Sequence, residues 1–172
     1  MASSEELFIE KKKEILTTHA NINIVEVPDS DLKHGDRKFK GACLISDPDN
    51  DKKRYKLFTI KIDESLPIEK KLIFLLHEYG HVLHYIELEY EKIGILKSTD
   101  RDEWTALTEV RAYRFQLEEG KKYFESGNKF VLPLIIDEIK KVPTLSDISE
   151  PYKVAHSRII QKAIWNECIL LI

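Results

Sequence analysis

The amino-acid sequence predicts an α+β fold in which a small, mostly antiparallel sheet of about three strands packs on helices. Polar and apolar residues alternate in the segments 21–27 and 55–62, as expected of half-buried strands, and the segment 39–46 is predicted to be a further strand. After Pro67 the apolar residues recur every three or four positions, which is the period of an amphipathic helix. Since the 172 residues contain neither an internal repeat nor a long linker, we expect a single domain over 1–172.

The three strand segments are separated by different kinds of connection. The first ends at Pro28, and the polar segment 29–38 that follows, which contains Gly35, is expected to be a loop. The Asp, Pro and Asn residues at 47–51 predict a turn, so the second and third strands should form a hairpin. We expect the third strand, 55–62, to lie at or near the edge of the sheet.

Helices are expected both before and after the strand segments. Ser3 or Ser4, together with Glu6, has the spacing of a capping arrangement that opens a helix through about Leu16. The later helices are expected from about Ile68 toward Ile93 (with Ser65 as N-cap and Gly94 as the stop), from Asp100 or Asp102 to Tyr123, from Phe130 to Lys140, and from Ser149 through Trp165.

The composition excludes several functional classes. The 27 basic and 30 acidic residues give a formal net charge of -3, so the basic surplus typical of nucleic-acid-binding domains is missing and no direct nucleic-acid partner is expected. Two cysteines, Cys43 and Cys168, are too few for a disulfide framework or a cysteine zinc site. The N-terminus lacks the pattern of a secretory signal, and no apolar run is long enough to span a bilayer. We therefore expect a cytoplasmic protein without a membrane partner.

The segment 77–81, His-Glu-Tyr-Gly-His, matches the pattern His-Glu-x-x-His within the longest predicted helix. At about 100° per residue, His77 and His81 lie on one helix face and one turn apart. Two imidazoles at that spacing can converge on one tetrahedral zinc ion. Glu78 projects to the side of the same face, where its carboxylate can take a proton from an attacking water and pass it to a leaving amine. The motif therefore predicts zinc-dependent hydrolysis, with Glu78 as the catalytic base.

A catalytic zinc site usually has three protein ligands, and four residues are candidates for the third. His84 lies about 10.5 Å farther along the helix axis than His77, so the two cannot bind one metal ion, and Glu87 is farther still. Glu109, in the next helix, can reach the metal if the two helices pack antiparallel, and we prefer it. Glu103 is the next choice.

The run 77–84, His-Glu-Tyr-Gly-His-Val-Leu-His, is followed by Glu109, Ala112 and Phe115 in the spacing Glu-x-x-Ala-x-x-Phe. This combination resembles the ImmA/IrrE family of zinc metallopeptidases, and the resemblance covers roughly residues 39–120. It implies a zincin-like core built around the motif helix.

The same resemblance implies roles for individual residues. His77, His81 and Glu109 would bind zinc, and Glu78 would be the catalytic base. Members of the family typically act on helix-turn-helix repressors, so the resemblance implies that the substrate is a transcriptional repressor or another regulatory protein.

The sequence departs from the family at two positions of the second motif, the segment that begins at Glu109. The family commonly shows Glu-x-Glu-Ala-Asn, whereas Arg111 and Tyr113 occupy the places of the second Glu and of the Asn. A peptidase also needs a donor that stabilises the developing oxyanion. Tyr113 and His156, the latter in the last predicted helix, are our candidates for that role.

Three functional hypotheses follow. The first is a zinc-dependent endopeptidase whose substrate lies extended beside the strand 55–62. The second is a binding module that retains the zinc fold, cleaves little and acts by contact with a partner protein. The third is a DNA-associated peptidase of the SprT type, which the net charge of -3 disfavours. The sequence indicates no oligomeric state.

Overall fold

The computed structural model describes residues 2–34, 37–38, 40–46, 57–90 and 101–141. These residues form helices and strands in the order of an α+β protein, so the predicted fold class is confirmed; the zincin-like core stays a prediction. The elements are helix α1 (Ser4–Thr18), strand β1 (Ile22–Val27), a 3-10 turn (Asp29–Leu32), strands β2 (Lys33–His34), β3 (Arg37–Lys38), β4 (Gly41–Ser46) and β5 (Leu57–Asp63), and helices α2 (Ile68–Tyr90), α3 (Arg101–Glu125) and α4 (Val131–Lys141).

Helix α1 begins with the predicted capping box. The Ser3 hydroxyl accepts a hydrogen bond from the Glu6 backbone N–H at 3.2 Å, and the Glu6 carboxylate accepts one from the Ser3 N–H at 2.7 Å. These two bonds satisfy backbone donors that the first helical turn would otherwise leave without partners. The bond from the Ser3 N–H, and a second one that the Ser3 hydroxyl donates to the same carboxylate at 3.1 Å, lower the pKa of Glu6. Ser3, rather than Ser4, is therefore the N-cap.

The three-stranded sheet has β5 at its centre, in the order β1-β5-β4. Strand β1 pairs with β5 in parallel and β4 pairs with it antiparallel, so the sheet is mixed. Two predictions were wrong: the sheet is not mostly antiparallel, and the third strand is not at or near its edge. The reason is the parallel neighbour β1, which is joined to β5 by a long connection and left no mark in the local pattern. The predicted hairpin pairing of β4 with β5 is confirmed.

The segment 29–38 was predicted to be a loop, and this was wrong in part. It contains the 3-10 turn, in which the Asp31 N–H donates to the Pro28 carbonyl at 2.9 Å, and the short antiparallel pair β2 and β3. Leu32 at the end of the 3-10 turn is only 3% exposed. The mostly polar segment therefore contributes a buried leucine to the core.

The start of α2 differs from the prediction that Ser65 caps it. The Ser65 hydroxyl donates to the Asp63 carboxylate at 2.6 Å, and the Ser65 N–H donates to the same oxygen at 2.9 Å. Ser65 therefore closes a turn after β5. The Pro67 carbonyl accepts the first helical hydrogen bond, from the Lys71 N–H at 3.0 Å. The predicted stop at Gly94 lies outside the described residues.

By the density of its internal contacts, the chain divides into two compact units, residues 1–82 and 83–172, with the boundary inside α2. The single domain expected from the sequence stays a prediction. In the first unit, α1 joins α2 through a 3.0 Å contact between His19 Nε2 and the Tyr79 hydroxyl. Among the described residues of this unit, the buried apolar side chains come from α1, β1, the 3-10 turn, β5 and α2: Leu7, Phe8, Ile15, Ile22, Ile24, Leu32, Phe58, Ile60, Ile62, Leu72, Ile73, Leu75, Leu76, Tyr79 and Val82.

In the second unit, α3 and α4 pack against each other across a short turn. Gly127 in this turn has φ of 100°, a backbone conformation that favours glycine. Gly120 allows the two helices to approach closely, because a Cβ there would lie 2.7 Å from Cδ1 of Ile135. Where the structure describes this unit, its buried apolar residues are Val110, Ala112, Leu117, Val131, Ile135 and Ile139.

The remaining helix predictions differ in their outcome. Helices α3 and α4 agree within two residues at each end with the helices predicted from Asp100 or Asp102 to Tyr123 and from Phe130 to Lys140. The last predicted helix, from Ser149, lies outside the described residues. Within the part of the chain that the structure describes, no helix is long and apolar enough to cross a membrane.

Candidate metal centre

The two histidines of the motif face each other on α2, as their spacing predicts. Nε2 of His77 and Nε2 of His81 lie 3.2 Å apart. The two rings are nearly perpendicular, with an interplanar angle of 88° and centroids 4.8 Å apart. His77 is largely buried and His81 half-buried. The two nitrogens therefore converge on one point beside the helix.

This separation fits a shared metal ion. In a tetrahedral zinc site with Zn–N bonds of 2.0–2.1 Å, two ligand nitrogens lie about 3.3–3.4 Å apart. The observed 3.2 Å between the Nε2 atoms of His77 and His81 is within about 0.2 Å of that value. Metal binding would thus require little movement of either ring.

Glu109 on α3 completes a group of three candidate ligands. One ligand atom each from His77, His81 and Glu109 lies within 4.8 Å of the others, so the group could hold a metal ion. The structure thereby brings together the three residues that the sequence predicted as ligands. Two imidazoles and one carboxylate form a donor set that zinc accepts at a catalytic site.

A surface glutamate at position 109 could instead pair with one of two arginines on the same helix, Arg111 or Arg114. Arg111 donates to the Glu87 carboxylate at 3.1 Å, and Arg114 donates to Glu118 at 3.2 Å. Each guanidinium group therefore has a carboxylate partner other than Glu109.

Glu78 is buried, with 7% of its surface exposed, and its side chain points toward the first residues of β4. A Cβ on Gly41 would lie 2.9 Å from Oε1 of Glu78. Cys43, two residues along the same strand, is also affected: burial, and then the negative charge of Glu78, raise the pKa of its thiol to about 12. The thiol is therefore protonated at neutral pH. Glu78 thus lies against the sheet, next in sequence to the first candidate ligand.

His84 and Glu87, which the sequence placed among the ligand candidates, do not belong to the three-residue group. His84 is 2% exposed, and burial, followed by the positive charge of Arg111, lowers its pKa to about 4. Glu87 is exposed and forms the ion pair with Arg111 described above. The helix rise that separated His84 from His77 explains its exclusion.

The candidates for stabilising an oxyanion are only partly described. Tyr113 is half-buried on α3. His156 lies outside the described residues, as does the side chain of Glu103. The oxyanion role of Tyr113 and of His156 therefore stays a prediction.

Sequence reasoning missed the residues that hold the strand beside Glu78. Asp63, at the end of β5, is fully buried and accepts a hydrogen bond from Nζ of Lys40 at 2.9 Å. It also accepts the two bonds from Ser65, and these contacts hold its pKa at about 2. A carboxylate at the end of an apolar strand was the only signal in the sequence, since its partner Lys40 is far away along the chain.

Comparisons with protein-family models, with curated proteins and with solved structures find no match for this chain. The resemblance to ImmA/IrrE peptidases therefore stays a prediction from the two motifs.

Proposed function

We propose that this protein is a zinc-dependent endopeptidase that cleaves a protein substrate by means of an activated water. The observation that carries the proposal is the convergence of His77, His81 and Glu109 within 4.8 Å, next to the buried carboxylate of Glu78. A merely structural zinc site is usually closed by four protein ligands, whereas three ligands leave a position for water. An acidic residue directly beside a ligand can also serve as the general base that hydrolysis by a metal-bound water requires.

Zinc is the proposed metal because of the donor set. Two neutral imidazoles with one carboxylate suit zinc, while magnesium and calcium prefer sites made of oxygen ligands. When bound, zinc lowers the pKa of a neighbouring water and polarises a carbonyl.

The protein supplies the proton transfers through Glu78. Its carboxylate takes the proton from the attacking water and gives it to the leaving amine, so one residue acts first as base and then as acid. Burial removes competing water from the carboxylate and strengthens its electrostatic effect on the reacting groups. His77 and His81 are held in place by the rigid helix that also carries Glu78.

The substrate is proposed to lie in an extended conformation beside β4. Among the described residues, β4 pairs on one side only, with β5, so its other edge offers backbone donors and acceptors to a peptide. Gly41 at the start of this strand lies against Glu78, which brings that edge close to the catalytic base. This replaces β5 as the docking strand, because β5 is covered on both edges. A regulatory protein, such as a transcriptional repressor, is the proposed substrate class.

The variant Glu78→Gln tests the proposal. The amide is close in size to the carboxylate but cannot take a proton, so zinc should bind as in the wild type while cleavage falls by about 100-fold or more. Zinc affinity is measured by calorimetry, and substrates are found by comparing the proteomes of cells that express the wild type or the variant. Cleavage that continues undiminished in Glu78→Gln would contradict the peptidase proposal and favour a binding module.

Two further variants on α3 test the third candidate ligand, one at Glu109 itself and one as a matched control. Glu109→Gln should lose both zinc binding and cleavage, because an amide is a poor substitute for a carboxylate ligand. Glu118→Gln makes the same chemical change on the same helix, at an exposed residue paired with Arg114, and should leave both unchanged. Equal zinc affinity in these two variants would contradict the role of Glu109.

A further inference from the structure

Gly41 lies directly against the carboxylate of the proposed catalytic base. A Cβ built on Gly41 would meet Oε1, Cγ and Cδ of Glu78 at 2.9, 3.0 and 3.3 Å, and its three nearest heavy atoms all belong to that one side chain. Distances below 3.0 Å are closer than real Cβ atoms approach other groups. As long as the Glu78 side chain keeps this position, the hydrogen atoms of glycine are the largest groups that fit between β4 and Glu78.

The backbone of Gly41 does not itself require glycine. Its φ lies outside the left-handed region, and it pairs regularly with Ile62 across the antiparallel ladder. An alanine would therefore be acceptable to the strand, and alanine is the better strand residue because glycine lowers strand stability. What excludes a side chain is the close approach of Glu78.

The residue before Gly41 is fastened to the end of β5 at two points. The Lys40 carbonyl accepts a hydrogen bond from the Asp63 N–H at 3.1 Å, and the Lys40 ammonium donates to the Asp63 carboxylate at 2.9 Å. Asp63 is fully buried and is held in turn by Ser65. Strand β4 therefore starts at a fixed distance from the chain segment that leads into α2.

We propose that Gly41 is a positioning residue for Glu78, with the Lys40–Asp63 pair holding Gly41 at that distance. The strand limits the carboxylate on the sheet side and so sets where its oxygens can be. The catalytic consequence rests on the proposed function, whereas the contact itself does not. A misplacement of a catalytic group by about 1 Å can lower the rate by up to 100-fold. A methyl group at Gly41 should therefore slow the chemical step.

The kinetic test is the variant Gly41→Ala, assayed with a quenched fluorescent peptide that spans a cleavage site found in the proteome comparison. We expect kcat to fall by about tenfold or more, with KM changed by less than about twofold and zinc affinity unchanged. Lys40→Met should lower kcat in the same direction by a smaller factor. A kcat equal to that of the wild type in Gly41→Ala would overturn the positioning role.

A second test does not depend on catalysis. In the metal-free protein, Gly41→Ala should lower Tm by about 2–4 °C, and by much less when Glu78→Ala has removed the atoms that the new methyl group meets. If Gly41→Ala alone fails to fold, the double variant should recover folding, which supports the contact equally. Gly120→Ala is the control, since the new Cβ would meet Ile135 and Leu132 instead of Glu78. The loss of Tm caused by Gly120→Ala should be the same with or without Glu78→Ala.

The two tests fail independently. Equal losses of Tm from Gly41→Ala with and without the Glu78 side chain would overturn the proposal, whatever the kinetics show. If Glu78→Gln remained fully active, the proposed peptidase function would be contradicted. The coupling between Gly41 and Glu78 would still be measurable in the metal-free protein.

Discussion

His84 is a histidine held away from water, one turn after the second motif histidine. It is 2% exposed, and burial lowers its pKa to about 4, with a further contribution from the positive charge of Arg111. An ordinary histidine has a pKa of about 6.5. Because the folded state favours the neutral ring, His84 stabilises the protein above about pH 6.5, and this contribution is lost as the pH falls from there toward 4.

We predict that the His84 ring is still neutral at pH 5.5 in the folded, metal-free protein. The measurement is an NMR titration of the imidazole nitrogens, with the same protein in urea as the reference, where all histidines should titrate near 6.5. Arg111→Gln should raise the pKa of His84 only slightly, because burial is the larger cause. Protonation of His84 near pH 6.5 in the folded protein would contradict the prediction.

At the scale of single residues, the spacing of the candidate metal ligands could be predicted from the sequence, whereas the environment of Glu78 could not. His77 and His81 belong to one helix, so their relative position follows from helix geometry alone. Gly41 meets Glu78 only because β4 pairs with β5 in one register and α2 packs on that face. Such contacts between residues distant in the chain leave no local pattern.

At the scale of elements, the packing of α3 against α4 depends on Gly120. Two effects oppose each other when alanine replaces it. Helix propensity favours alanine over glycine by about 1 kcal/mol. Against this, the new Cβ would lie 2.7 Å from Cδ1 of the fully buried Ile135, and overpacking of a core typically costs 1–3 kcal/mol.

We therefore expect Gly120→Ala to destabilise the protein by about 1 kcal/mol, measured by urea unfolding. The matched test adds Ile135→Val, which removes the atom that the new Cβ would meet. The double variant should be more stable than the sum of the two single changes predicts. Simple additivity would show that the contact with Ile135 is not the cause.

The strands show what alternation can and cannot predict. The alternation around Phe58, Ile60 and Ile62 indicates a strand with one buried face, and all three side chains are buried. Alternation reports the buried face of a strand but not its neighbours in the sheet. The parallel pairing of β1 with β5 is set by packing of the whole unit, so the predicted edge position of β5 was wrong for a physical reason.

At the scale of the whole molecule, the buried carboxylate of Asp63 makes the stability of the fold depend on pH. Its carboxylate is fully buried and accepts hydrogen bonds from Ser65 and, as the second contribution, from Lys40, which keep its pKa at about 2, compared with about 3.9 in an unfolded chain. The folded state therefore favours the charged form. Its contribution to stability is complete above about pH 5 and is lost as the pH falls through 4 toward 2.

The variant Asp63→Asn should remove this part of the pH dependence. The amide can still accept from Ser65, but it carries no charge for Lys40, which is 45% exposed and can be solvated by water. We expect the wild type to lose on the order of 1–2 kcal/mol more than the variant between pH 5 and pH 2, after allowance for solvent screening at Lys40. The measurement is urea unfolding of both metal-free proteins across that range, so that protonation of the candidate ligands is common to the two. Parallel stability profiles would show that the Lys40–Asp63 pair contributes nothing to folding. The fixed start of β4, on which the position of Gly41 beside Glu78 depends, would then have to come from the backbone pairing alone.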